Sequence, residues 1–394
     1  MASSRIVKGF NEFIGMEAIK RAKIRKVILK NFELYGFEPT ESPTVEFEEF
    51  VGKDANEDTI SEIFRLSDRG ERKLALKYES TFQLKRIAKN QKLPFKRYVM
   101  AQVFRDEPTG SNRFREFSQC DADVVGAGPK DEAEVLSLVS KILSELGIES
   151  IIYFNNRKLL NEIMVDLKIV EKNREQVIRE LDKLDKLSKK EVADNLKKID
   201  AERILKVIDD GDFSKYKFYG EILNLMKLCK LYDLELKFSP TLARGLSYYN
   251  GTVFEVKTAG MAETICGGGA YLVEGVQSFG FAFGLDRLAT LSEIEGDAAD
   301  FLVLSLGQDE VAIDLVTKMR EKGISVNLLM DKAIGKGLEY ADSKGISKVV
   351  FVGADEVSEG KFKVRDMVMG NEEMMDLDGV LEMGCCEEED CGCY

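Results

Sequence analysis

The sequence predicts an α+β chain: an antiparallel sheet flanked by helices, interrupted by a helical insertion and followed by a small α/β domain. Three observations predict it. The apolar runs Tyr98-Val99-Met100-Ala101 and Val124-Val125-Gly126 bracket a polar loop containing Pro108 and Gly110, the pattern of two antiparallel strands joined by a turn. Residues 156–235 are rich in Lys, Asp, Glu and Leu at helical spacing, with little glycine. Beyond a break near Gly296-Asp297-Ala298-Ala299-Asp300, strand-like and helix-like runs alternate.

Taken in order, 16–35 is an amphipathic helix ended at Gly36, with Ile24, Val27, Ile28, Phe32 and Tyr35 on its apolar face. Residues 37–51, with Pro39 and Pro43, form an extended arm. Residues 63–66 and 73–77 pair as a hairpin around Asp68-Arg69-Gly70-Glu71. A helix follows over 80–89, then the two long strands, then a helix over 131–146 stopped by Gly147. Strand-like runs return at 234–238 and 251–256. Gly267-Gly268-Gly269, read alone, is a tight bend. Residues 279–288 pass from strand into helix, with Arg287 on the first turn. Strands at 301–306, 325–329 and 348–352 alternate with helices at 310–322 and 335–344, which predicts a βαβ domain with a largely parallel sheet.

Composition narrows the chemistry. A chain of 394 residues should form two or three domains. Its net charge of −13 excludes nucleic-acid binding through bulk charge, so any such contact needs local basic patches. No apolar run is long enough for a membrane span and no secretory leader is present, so a soluble, cytoplasmic chain without a membrane partner is expected. The sequence has no histidine, which excludes His-based triads, His metal ligands and histidine general bases. Cys120, Cys229 and Cys266 are isolated and read as buried, reduced thiols. Cys385, Cys386, Cys391 and Cys393 crowd an acidic tail over 382–394. They could take a soft metal, but they lack paired Cys-x-x-Cys knuckles and the composition reads as disorder; no metal ligand is assigned.

The stretch Phe104-Arg105-Asp106-Glu107 followed by Arg113-Phe114-Arg115-Glu116-Phe117-Ser118-Gln119-Cys120-Asp121-Ala122-Asp123 is the densest in chemistry. Arginines on strands chelate phosphate oxygens, aromatics stack on a base, and carboxylates hold an ammonium or an imidazole. The same alternation of Arg and Glu also reads as a solvated strand face with weak ion pairs. Other segments shift that balance: the run from Ala243-Arg244-Gly245-Leu246-Ser247-Tyr248-Tyr249 to Glu255, the triple glycine with Tyr271, and Gly284-Leu285-Asp286-Arg287.

In this order and spacing the motifs closely resemble the histidyl-tRNA synthetases, a family of class II aminoacyl-tRNA synthetases. The resemblance runs from Lys8-Gly9-Phe10 through the dimer motif around 39–46 and through Asn155-Asn156-Arg157-Lys158-Leu159-Leu160. Residues 336–342 and 349–353 resemble that family's anticodon-binding domain. The resemblance implies a catalytic domain in two parts (1–155 and 236–296), a helical insertion (156–235), an anticodon-binding domain (300–381) and the acidic Cys-rich tail. It implies that Arg105 holds the ATP α-phosphate, Arg113 grips the distal phosphates, Glu107 sits near adenine and Phe117 stacks on the base. It places Arg287 on the γ-phosphate side and makes Arg244 the catalytic arginine that bridges carboxylate and α-phosphate. For histidine, Glu79, Thr81 and Gln119 hold the α-amino group, Asp123 faces the imidazole, and Tyr249 and Tyr271, with Tyr248 beside them, close over the ring. An acid and a phenol on opposite ring nitrogens would reject isosteres lacking those groups.

Two departures stand out: Ser247 where the family often has Asp, and Ala270-Tyr271-Leu272 where it has Arg-Tyr-Asp. The implied activity is ATP-dependent activation of L-histidine to histidyl-adenylate and its transfer to tRNA(His), with Mg2+ and a homodimer. The same fold also occurs as a non-catalytic regulatory subunit of histidine biosynthesis. Such paralogues generally lack the anticodon domain and lose catalytic arginines, whereas this chain keeps 300–380, Arg105, Arg244 and Arg287. A synthetase for another amino acid of the same subclass is a third reading, against which Tyr249, Tyr271 and Asp123 argue. Candidate basic positions for tRNA are Lys332, Lys336, Lys361, Lys363 and Arg365.

Overall fold

Alternation along the strand Glu116–Val125 decides which face of the sheet is core. Cys120, Ala122 and Val124 are fully buried among apolar side chains, while Gln119, Asp121 and Asp123 line a cleft on the opposite face. The computed structural model describes residues 5–52, 57–110, 113–185, 187–243, 248–258, 261–296 and 299–383. The chain divides into two compact units, one of residues up to 12 and 24–294, the other of 13–23 and 295 onward.

The chain opens with α1 (Gly15–Leu34), β1 (Glu38–Pro39), β2 (Val45–Phe47), α2 (Glu48–Gly52), α3 (Glu57–Ser61), β3 (Arg65–Ser67), β4 (Lys73–Leu76) and α4 (Thr81–Ile87). The long hairpin is β5 (Phe95–Phe104) and β6 (Glu116–Val125), followed by α5 (Pro129–Glu145) and β7 (Ile151–Asn156). Next among the described residues come α6 (Arg157–Asp166), α7 (Glu171–Asp182), α8 (Lys189–Lys197), α9 (Arg203–Asp210) and α10 (Tyr219–Lys230). The sheet resumes with β8 (Lys237–Phe238), β9 (Tyr249–Thr258), β10 (Met261–Val273) and β11 (Val276–Gly284), closed by α11 (Leu285–Leu291). The strand order is β1-β5-β6-β11-β10-β9-β7-β8. All neighbours are antiparallel except the short edge pairs β1–β5 and β7–β8. A small sheet, β2-β4-β3, packs the expected hairpin of 63–77.

Three local expectations change. The end of the extended arm coils into α2, where Glu48 and Glu49 occupy a helix first turn that favours acids. The run 234–238 shortens to the two residues of β8 on the sheet edge. The triple glycine is not a bend; it lies inside β10, paired on both sides. A Cβ on Gly268 would lie 2.1 Å from the Gly280 carbonyl oxygen, and one on Gly269 would lie 2.5 Å from that of Thr252. Glycine here permits close approach of backbones.

On the core face, Ile24, Ile28 and Phe32 at four-residue spacing on α1 and Leu136, Val139 and Leu143 on α5 share one cluster with Phe254, Phe279 and Phe283. Phe254 and Phe279 stack with centroids 5.9 Å apart. Cys120, Cys229 and Cys266 are buried and in no disulfide, as expected.

The second unit contains β12 (Phe301–Ser305), α12 (Asp309–Glu321), β13 (Val326–Leu329), α13 (Ile334–Lys344), β14 (Lys348–Val352), α14 (Ala354–Glu359), β15 (Phe362–Asp366), β16 (Glu372–Met375) and α15 (Leu377–Met383). Strands β13-β12-β14 are parallel, as the alternation predicts, and β15 and β16 extend the sheet antiparallel. Phe301, Val303 and Val350 pack under α12, and Leu302, Leu304 and Val349 under α13. No helix among the described residues is long and apolar enough to cross a membrane. The cysteines of the tail lie outside the described residues.

Candidate active site

Cross-strand pairing builds the floor of the cleft. Arg97 on β5 pairs with Asp123 on β6, Asp123 with Gly280 on β11, and Gly280 with Gly269 on β10. Two glycines in that row leave space above the sheet beside a buried acid. A Cβ on Gly280 would lie 2.0 Å from Asp123 Oδ1. Tyr271, two residues along β10 and opposite Tyr249 on β9, donates its hydroxyl to Asp123. The Tyr248 ring packs against Tyr249 at 4.8 Å and Tyr271 at 5.6 Å, forming one wall.

The acids are buried and respond to it. Burial pushes Glu79 up to about 7, with the Arg105 charge opposing. Burial pushes Asp121 up to about 8, with Arg97 the main opposing charge. Asp123 is also raised by burial, against Arg97 and the Tyr271 hydrogen bond. Burial and the Asp123 charge hold the Tyr271 phenol well above its ordinary value, so it stays a donor.

The arginines lie on the hairpin and on α11. The Arg105 guanidinium sits 4.4 Å from the Tyr78 ring centroid and 5.2 Å from that of Phe117, and its Nε donates to the Tyr78 carbonyl at 3.5 Å. Arg113 forms an ion pair with buried Glu107. Arg115 supports the same turn, donating to the Glu107 carbonyl at 3.1 Å and pairing with Asp106 at 3.2 Å. Arg287 donates to the Thr264 carbonyl, and the Thr264 hydroxyl donates to Glu255 at 2.9 Å.

Every implied site residue except Arg244 lines this one cleft, which has a volume of about 830 Å³: Glu79, Thr81, Arg105, Glu107, Arg113, Phe117, Gln119, Asp123, Tyr248, Tyr249, Tyr271 and Arg287. Arg244 and Ser247 lie outside the described residues. The expected partners differ in detail. Glu107 and Arg113 are joined to each other, Arg105 lies over the Phe117 ring, and Asp123 and Tyr271 meet directly instead of standing apart. The cause is common to all three: a buried carboxylate or a ring face takes the nearest donor or cation.

Several contributors have no motif of their own. Tyr78 carries Arg105, and Asp121 sits between Gln119 and Asp123 on the cleft face, a placement that period-two alternation alone would signal. Arg97 is found only through the strand register. Asn155 donates to the carbonyls of Pro240 (3.1 Å) and Leu242 (2.8 Å), and Arg157 to that of Ala243 (3.0 Å), so β7 and α6 hold the segment leading to residue 244.

An antiparallel sheet of this order, with its arginines and buried acids gathered over one face, defines a class II aminoacyl-tRNA synthetase. Residues 9–288 match the family model described as histidyl-tRNA synthetase, and residues 300–383 match one described as an anticodon binding domain. The chain is 31% identical to histidine–tRNA ligase 1 of Bacillus cereus, over 94% of this chain and 97% of that protein. The crystal structure of histidyl-tRNA synthetase from Nostoc superposes with a TM-score of 0.85 at 26% identity, covering 97% of this chain and 99% of that one. A Bacillus halodurans structure described as an ATP phosphoribosyltransferase regulatory subunit/histidyl-tRNA synthetase matches with a TM-score of 0.76 at 21% identity, over 89% and 98% of the two chains; at that identity the likeness is one of fold. The chain belongs to the histidyl-tRNA synthetase family.

Proposed function

We propose that this chain activates histidine with ATP to histidyl-adenylate and transfers the histidyl group to tRNA(His). The observation that carries the reading is one cleft lined both by Arg105, Arg113 and Arg287 and by the buried acids Glu79, Asp121 and Asp123. In the first step the histidine carboxylate attacks the α-phosphorus. One phosphorus–oxygen bond forms and the bond to pyrophosphate breaks, with charge developing on the equatorial oxygens. Arg105 meets that charge from a position already held by Tyr78, so little reorganisation is needed. Arg244 takes the bridging role that the family motif gives it, Arg113 and Arg287 take the distal phosphates, and Phe117 and Glu107 the base. The attacking carboxylate is already ionised, so a chain without histidine lacks no base for this step. In the second step a terminal ribose hydroxyl of the tRNA attacks the histidyl carbonyl and AMP leaves.

Glu79, Thr81 and Gln119 hold the α-ammonium, and Asp123 with Tyr271 reads the ring. Buried polar groups left unpaired by a wrong side chain give discrimination of roughly four orders of magnitude. Mg2+ would travel with ATP. The oxygen donors fit it, since a hard cation takes one or two carboxylates with phosphates and water, and Glu255 lies on the Arg287 side of the cleft. No group of three or more candidate ligands gathers among the described residues. When bound, the ion supplies neutralisation of phosphate charge.

The domain division of 1–155, 156–235, 236–296 and 300–381 accompanies this reading. Lys332, Lys336, Lys361, Lys363 and Arg365 are the positions assigned to tRNA, and the working form is a cytoplasmic homodimer. The test is charging: purified protein, ATP, labelled histidine and unfractionated tRNA should give acid-precipitable histidyl-tRNA. A regulatory subunit would give none, and that result would overturn the reading.

A further inference from the structure

Among the described residues of the first unit, Arg97 is the most deeply buried arginine, at 1% exposure, and it does not line the cleft. Its Nη2 lies 2.6 Å from Asp123 Oδ2 and donates to the Ser80 carbonyl at 3.3 Å. Those two contacts join separate halves of the pocket. Asp123 faces the side assigned to the ring, and Ser80 stands between Glu79 and Thr81, assigned to the ammonium. Arg97 is also the positive charge common to three buried acids, opposing the burial that raises Glu79, Asp121 and Asp123.

We propose that Arg97 is a positioning residue for amino-acid selection: it fixes the Asp123 carboxylate as the ring acceptor and ties it to the segment that binds the ammonium. The proposal rests on the histidine-activating reading of the cleft. An isolated carboxylate in that surrounding would take a proton or turn toward Tyr271 alone, and the pocket would lose its acceptor. Both contacts are made by Nη2; lysine keeps the charge, but as a compact, strongly hydrated point charge on a flexible stem, so it should restore the function only in part.

The experiment is a double-mutant cycle in histidine-dependent ATP–pyrophosphate exchange, using R97M, R97K, D123N and R97M/D123N in the full chain. Thermal unfolding and the KM for ATP serve as folding controls. R97M should raise the KM for histidine about fiftyfold while the KM for ATP stays within about twofold, and R97K should fall between R97M and wild type. Adding R97M to D123N should cost less than about threefold more, because residues that act as one unit are not additive. Three results would overturn the role of Arg97: wild-type behaviour of R97M, effects that multiply fully in the double variant, or KM values for ATP and histidine that rise together. Wild-type protein that shows no exchange with histidine would instead overturn the reading of the cleft, and the proposal with it.

Discussion

Replacing Arg105 with methionine lowers histidine-dependent pyrophosphate exchange by about a hundred- to a thousandfold, the usual cost of removing one preorganised donor to a developing oxyanion. The expectation follows from how the side chain is held. Its guanidinium packs against Tyr78 and Phe117, and its Nε reaches the Tyr78 carbonyl. On the proposed function, the group is aimed before substrate arrives and its contribution goes to the transition state. Arg105 is only half-buried and closes no core cluster, so the melting temperature of R105M should stay close to wild type. Arg105→Lys should recover only part of the loss, because an ammonium cannot address two phosphate oxygens in one plane. Loss of exchange in parallel with loss of folded protein would contradict this role.

Gly268→Ala should be the most damaging single methyl group in the sheet. Its Cβ would lie 2.1 Å from the Gly280 carbonyl oxygen and 2.8 Å from both Phe254 Cε1 and the Phe281 Cα. Two of those obstacles are backbone and the third is a ring of the packed core, so none can swing aside. The strands β10 and β11 must separate, at a cost of about 3 kcal/mol or more. Gly280→Ala differs in kind. Its nearest obstacle is Asp123 Oδ1 at 2.0 Å, a side-chain end, so the fold survives better while the acid is displaced and the KM for histidine rises. Gly220→Ala on α10, where a Cβ meets nothing within 4 Å, should be neutral or stabilising by up to about 1 kcal/mol. Chemical denaturation of the three variants checks the ranking; equal midpoints for Gly268→Ala and Gly220→Ala would contradict it.

These contrasts also mark what was legible in the chain. The β5–β6 hairpin and the strand–helix alternation from 301 to 352 follow from local periodicity, and both appear where periodicity puts them. The glycine run was ambiguous because glycine marks bends and close strand contacts alike; only its neighbours across the sheet decide between them. The cleft residues on β6 share a face by simple alternation, which includes Asp121 even though no motif names it. Arg97 could not be read locally. Its partnership with Asp123 depends on hairpin register across the turn, a non-local quantity. The pairings of Arg113 with Glu107 and of Tyr271 with Asp123 depend on which donor each buried acid finds nearest, and that is a property of packing.

On the proposed function, nucleotide phosphates and an imidazole side chain share one cleft. ATP–pyrophosphate exchange measured with each standard amino acid in turn tests it most directly. Label should enter ATP with histidine and at background level with proline, threonine, glycine and the rest. Exchange driven by a different amino acid, or by none, would contradict the assignment of the cleft.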